Sequence, residues 1–287
     1  VFLPPELAGQ EEFRELEGVS AAGSSTDQLR RLYFQRLYQQ SPDPIADREL
    51  VEQVLDHAKR VIAHPSRPML KRLQTFEQNP FGELALDEVV EESPLATQSG
   101  DFAPADILVE EEFEKPFHCL LMLDTSSSMS GEKHLLASVA VAVLLLEVPP
   151  RHASLVVFSS QAQTIKRLHT EAGPAETVLR FLRTRPKGFT NIHAGLREGL
   201  GELGRLTGNQ RRIGLMATDG RSTEGGDPME LARRFDFLVV LHLHGPGSHL
   251  DASREMAQAG NGICLEVETF EELPHRLYDA IRLLSRR

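Results

Sequence analysis

The stretch His118-Cys119-Leu120-Leu121-Met122-Leu123-Asp124-Thr125-Ser126-Ser127-Ser128-Met129-Ser130-Gly131 decides how the chain reads. An apolar run stops abruptly at a carboxylate and alternating hydroxyls, and a helical pattern follows from about Glu132. A short apolar run ahead of a turn and a helix reads as a buried strand of a parallel sheet. The polar loop then lies at the strand's carboxyl end, where open α/β sheets bind their ligands. Asp124, Ser126 and Ser128 stand at i, i+2 and i+4, so a tight turn can converge their oxygens. Hard oxygen donors of this kind suit Mg²⁺, and Mn²⁺ or Ca²⁺ less selectively.

Two further pieces occur downstream. Gly188-Phe189-Thr190-Asn191 places a Thr at the opening of a helix, and Ala217-Thr218-Asp219-Gly220 places an Asp at the close of another apolar strand. Taken singly, each has a plainer reading: a helix-start loop, a helix cap, a turn. Together they bring every polar group to the same edge of one sheet. With these three motifs in order, the segment from about 116 to 285 resembles the von Willebrand factor A (VWA) family. The resemblance implies a complete metal-ion-dependent adhesion site at Asp124, Ser126, Ser128, Thr190 and Asp219. In it Ser126 and Ser128 bind the metal directly and Asp124 directly or through water. Thr190 joins in a ligand-competent state, Asp219 acts through water, and one position is left for an acidic side chain of a partner.

The rest of the chain sets the frame. Its 287 residues allow one large or two modest domains, and 40% hydrophobic with 25% charged residues is ordinary for a soluble chain. A net charge of -11 argues against general binding to nucleic-acid backbones, which needs a basic face. Val1 to Gln10 has no basic start and no long apolar core, so no signal peptide is expected there, although the first residue is not Met and an upstream piece is compatible with that. Leu135 to Val148 is too short to span a bilayer and reads as a helix buried against a sheet. Cys119 and Cys264 fall in strand-like runs. In a sheet of order 3-2-1-4-5-6 they are three strands apart, about 14 Å, too far for a disulfide. Two buried, unbridged thiols fit a reducing compartment, and a cytoplasmic location is expected.

From Phe117 the chain alternates strand and helix, which requires a doubly wound, mostly parallel six-stranded α/β sheet with helices on both faces. Leu155 to Ser159, Ile213 to Ala217, Phe237 to Leu243 and Ile263 to Val267 read as strands, and Thr164 to Leu168 as an antiparallel edge. Before it, residues 1–92 read as a helical N-terminal region, with helices from Thr26-Asp27 to about Gln40, from about Ala46 to His64, and from Ser66-Arg67-Pro68 through Phe76. The apolar stripes of the first two, Leu29, Leu32, Tyr33 and Leu37 with Leu50, Val54, Leu55, Ala58, Val61 and Ile62, are read as intramolecular core. Glu83 to Glu92 reads as a short helix. Residues 93–115 form a linker and an acidic extended segment, read as a solvated strand edge. By the resemblance, residues 116–287 are expected to form a VWA domain.

The layout, a helical N-terminal part, a Gly82-Glu83-Leu84-Ala85-Leu86-Asp87 segment and a C-terminal VWA domain, is similar to bacterial VWA proteins associated with MoxR-type AAA+ ATPases. That resemblance implies a non-catalytic adaptor in complex assembly or metallocofactor maturation, with no nucleic acid and no membrane among its partners. The chain has no Gly-x-x-x-x-Gly-Lys-Ser/Thr loop of its own. A metal-dependent hydrolase is the alternative, but Asp124-Thr125-Ser126 lacks the Gly of an aspartic protease and no Gly-x-Ser-x-Gly elbow occurs. An RNA-binding or adhesion role is the other, opposed by the acidic balance and the unpaired cysteines. His193, one turn into the Thr190 helix, reads as an exposed histidine, the pair His242 and His244 as packed or rim residues rather than zinc ligands, and Arg221 as loop surface.

Overall fold

A computed structural model describes residues 25–38, 43–62, 69–80, 83–93, 100, 102–114, 118–206 and 211–285. The stretch 1–24, most of the expected linker, and Gly82 of the segment Gly82 to Asp87 lie outside the described residues. The described residues form two compact units, one from 25–62 together with 118–284, the other from 69–114. The expected N-terminal region is therefore divided between them.

In the first unit, α1 (Ser25–Tyr38) and α2 (Pro44–Val61) precede the alternating segment. That segment runs β4 (Cys119–Asp124), α4 (Glu132–Glu147), β5 (Ala153–Phe158), β6 (Ala162–Lys166), α5 (Pro174–Leu182) and α6 (Ile192–Leu203). It continues through β7 (Ile213–Thr218), α7 (Pro228–Ala232), β8 (Phe237–Leu243), α8 (Leu250–Ala259), β9 (Cys264–Val267) and α9 (Leu273–Ser285). The six strands lie in the order β6-β5-β4-β7-β8-β9, all parallel except β6, which is antiparallel to β5. This is the expected order, and it leaves Cys119 and Cys264 three strands apart and unbridged.

Every residue of β4, β5, β7 and β8 is buried, as strands covered on both faces must be. Alternation divides them between two cores. Leu121, Leu123, Leu155, Val157, Leu215 and Val239 pack with α4, α5 and α9. Leu120, Met122, Val156, Met216, Leu238 and Val240 pack with α6, α7 and α8.

Helix α4 is apolar all round because it is covered all round. His134 through Leu145 are buried without a break. The sheet takes one side, while Leu50, Val54 and Ala58 of α2 and Leu29 and Tyr33 of α1 join the same core. The stripes of α1 and α2 are thus intramolecular core except for Leu37, which is 41% exposed, and α4 is a middle layer. Asp43 starts α2 by accepting hydrogen bonds from the N–H groups of Ile45 and Ala46, with Pro44 in its first turn. Asp47, also in that turn, is buried and accepts from Arg36 of α1 and, at 3.0 Å, from Arg183 at the end of α5. Burial alone would raise its pKa, but the two guanidinium groups hold it below the ordinary carboxylate value.

The second unit corrects two sequence expectations. Met69–Thr75, expected as a third helix, is strand β1, and Glu83–Leu84 is a short β2 ahead of α3 (Leu86–Glu92). The acidic segment Leu108–Glu114 is β3, and it is the middle strand of the order β1-β3-β2 rather than an edge. Its antiparallel register sets position 71 opposite 112 and position 72 opposite 111, a partnership that β1 read alone cannot show.

Candidate metal centre

Strands β4 and β7 are neighbours, yet the chain leaves them in opposite directions, to α4 on one face and to α7 on the other. A crevice opens at such a switch point, at the carboxyl ends of the strands. Asp124 closes β4 and Asp219 follows β7, so both carboxylates stand at its floor.

The loop after β4 is tightly folded. Asp124 Oδ1 accepts from the Ser126 N–H at 2.8 Å, and residues Ser127–Met129 make a single 3-10 turn. The hydroxyls of Ser126 and Ser128 lie 3.1 Å apart. Ser127 donates from both its N–H (3.1 Å) and its hydroxyl (3.0 Å) to the Gly188 carbonyl, and the Lys187 N–H donates to the Thr125 carbonyl at 3.1 Å. The loops carrying the first and second motifs are therefore stitched together.

Thr190 does not cap α6. Asn191 does, accepting from the Ala194 N–H at 2.9 Å. Thr190 is instead fixed by its backbone: its N–H donates to Thr223 Oγ1 at 3.0 Å, and its carbonyl accepts from the N–H groups of Thr223 and Glu224. Its side chain makes no hydrogen bond among the described residues. Asp219 is set similarly, its carboxylate accepting from the Arg221 N–H at 2.9 Å and its carbonyl from the His249 N–H at 2.8 Å. Gly220, at φ +75°, allows that geometry; a Cβ there would lie 2.3 Å from the His249 carbonyl oxygen.

Four of the five expected residues, Ser126, Ser128, Thr190 and Asp219, line one open cleft of about 480 Å³. Asp124 lies behind them, 2% exposed. Burial pushes its pKa up to about 6, against the pull of the Ser126 hydrogen bonds, and the charge of Asp219 adds to the rise. Among the described residues no cationic side chain pairs with either carboxylate. Two carboxylates facing one crevice with no ion-pair partner among the described residues, beside uncharged hydroxyl oxygens, fit a hard divalent cation.

The cleft also contains residues that motif reading does not pick out: Ser127, Phe189, Arg221, Thr223, Glu224 and Pro246. Phe189 is a large hydrophobic side chain with 63% of its surface open. Arg221 lines the cleft and is not merely loop surface. Thr223 and Glu224 follow Asp219 closely in the chain, and only their bonds to Thr190 show why they belong here. His193 donates from Nδ1 to the Asp227 carbonyl at 3.0 Å and does not line the cleft. His242 is buried and bonds Ser253 (2.8 Å), His244 is exposed and bonds Glu266 (3.0 Å), and among the described residues no three His, Cys, Asp or Glu side chains converge as metal ligands.

Residues 119–221, a span holding all five positions, match the von Willebrand factor type A domain family. Among solved structures, proximal thread matrix protein 1 from the mussel byssus superposes with a TM-score of 0.52 at 20% identity, over 60% of this chain and 49% of its own. BatB from Bacteroides thetaiotaomicron gives 0.51 at 17% identity, over 60% and 100%. The pilus adhesin SpaC from Lactobacillus rhamnosus GG gives 0.51 at 13%, over 60% and 30%, in its open conformation. Another structure of the mussel protein, with a TM-score of 0.50, has zinc in its MIDAS motif. The chain thus spans about half of the mussel protein and all of BatB. No curated protein matches it. These likenesses establish the fold of the α/β unit as that of a von Willebrand factor A domain.

Proposed function

We propose that this chain is a non-catalytic protein-binding module whose VWA-type domain holds Mg²⁺ through Asp124, Ser126, Ser128, Thr190 and Asp219 and takes an acidic side chain of a partner there. The observation that carries this reading is the uncompensated carboxylate pair beneath the cleft: Asp124, buried and raised to about 6, with Asp219 adding to the rise. When bound, the ion supplies the positive charge that the cleft's floor lacks and a coordination position for the incoming carboxylate. Three of the five donors are neutral hydroxyls, so the ion keeps much of its attraction for an anion. All five donors are oxygens, which favours Mg²⁺, with Mn²⁺ or Ca²⁺ as substitutes, over zinc, whose preferred ligands are nitrogen and sulfur.

Metal and partner strengthen each other by the same factor, because each supplies what the other lacks. A MoxR-type AAA+ ATPase is our proposed partner, and complex assembly or cofactor maturation the setting, on the layout of the sequence. The two unbridged thiols suit a cytoplasmic location.

The test is capture of partners from a source-cell lysate on the immobilised protein, with Mg²⁺ or with chelator, and with Thr190→Ala in parallel. An AAA+ ATPase retained only with Mg²⁺ and intact Thr190 supports the whole reading. Retention indifferent to chelator and to the substitution overturns the metal-bridged part.

A further inference from the structure

A second cavity of the α/β unit, about 930 Å³, lies between β6 with the turn before it and the carboxyl end of α5 with the segment that follows. Its lining includes Arg180, Arg183, Arg185 and Lys187 and not one acidic residue, in a chain with 42 acidic and 31 basic residues. Arg180 is paired with Glu176 and Arg183 with Asp47, but Arg185 and Lys187 are exposed and have no ion-pair partner among the described residues. A chain of net charge -11 therefore turns a locally cationic wall toward this groove.

The opposite wall is a sheet edge. β6 ends the strand order, and among the described residues no strand pairs with its outer side. Ala162, Gln163, Thr164 and Ile165 all line the groove. Neighbouring residues of a strand point to opposite faces, so four in a row bring the edge of β6 to the groove, which also reaches Val157 of β5 on the sheet face. On the face toward α5, Gln161 and Gln163 offer amide groups where a core would put apolar ones.

We propose that this groove docks an acidic, extended segment of a partner protein, which pairs with the free edge of β6 while its carboxylates meet Arg185 and Lys187. Strand addition supplies main-chain hydrogen bonds, and the cationic wall selects for acidic side chains on one face of the added strand. No residue is shared between this lining and that of the metal cleft, so binding here needs no metal.

The probe is a fluorescein-labelled peptide of alternating Glu and Thr, titrated with the full chain in chelator and followed by fluorescence anisotropy. Saturable binding is expected, weakened at least about tenfold by the double charge reversal Arg185→Glu, Lys187→Glu. Both side chains are exposed, and an unchanged circular-dichroism melt of the double variant shows that the fold is kept. The same peptide N-methylated at alternate residues loses binding because it cannot complete a ladder. Absent binding, or equal binding by the reversed variant, overturns the proposal. Equal binding of the N-methylated peptide overturns strand addition. Tighter binding of a single-stranded oligonucleotide of the same charge overturns the choice of an acidic protein segment.

Discussion

The hydroxyl of Tyr33 and Nδ1 of His134 lie 3.1 Å apart, joining α1 to the first turn of α4 directly behind the loop of Ser126 and Ser128. The other nitrogen of the same imidazole reaches Thr184 Oγ1 at 3.3 Å, and the ring stacks on Phe181. The N-terminal helices thus share a polar network with the elements that frame the site, and that network titrates.

Burial, with the charge of Arg36 adding to it, lowers the pKa of His134 from 6.5 to about 4. The folded state keeps the ring neutral while the unfolded chain protonates it more readily. Its contribution is therefore whole above about pH 6.5 and is lost as the pH falls toward 4. At 1.36 kcal/mol per pH unit the full difference is about 3 kcal/mol. Urea unfolding at pH 7 and pH 5 should show the natural protein losing about 2 kcal/mol more than His134→Phe over that interval. Equal losses would contradict a buried neutral imidazole.

Asp47 holds α1, α2 and the end of α5 together through Arg36 and Arg183. Asp47→Ala removes an acceptor shared by two guanidinium groups, one of them largely buried, and should cost about 2 kcal/mol. Thermal unfolding should remain a single transition, shifted down, because α1 and α2 share one core with the sheet. A separate early transition would show that the added helices are an independent layer.

Gly220 ties backbone geometry to the site. Gly220→Ala puts a side chain in the left-handed region and against the His249 carbonyl, and should cost about 1–3 kcal/mol. Because Asp219 is its neighbour, the variant should also bind Mn²⁺ more weakly while Asp219 itself is intact. Unchanged Mn²⁺ affinity would show that the Asp219 loop does not need this turn.

Much of this architecture is legible in the residues. The short, continuous apolar runs of β4, β5, β7 and β8 and the helices between them dictate a doubly wound sheet, and the structure has it in the expected strand order. Asp124 and Asp219 are readable because a carboxylate at the end of a buried apolar strand costs solvation free energy unless a ligand or a cation compensates it. What escaped is nonlocal. Leu70 and Leu73 have helical spacing, but pairing with β3 overrides it from Met69 to Thr75. The acidic run of β3 resembles an edge until the strands on either side of it are known. Thr190 looks like a cap because Asn191, one residue on, is an equally good one. Thr223 and Glu224 enter the site through hydrogen bonds to the Thr190 backbone, from their N–H groups and the Thr223 hydroxyl, and no local sequence pattern announces that.

The most direct measurement of the central claim is Mn²⁺ titration followed by electron paramagnetic resonance, with Mn²⁺ in place of Mg²⁺. The account predicts one saturable site per chain, displaced by excess Mg²⁺. It predicts affinity lowered at least about tenfold by Asp124→Ala and by Ser126→Ala, the loss of about 1.4 kcal/mol or more from one donor. Binding that survives both substitutions together, or no binding by the natural chain, would contradict it.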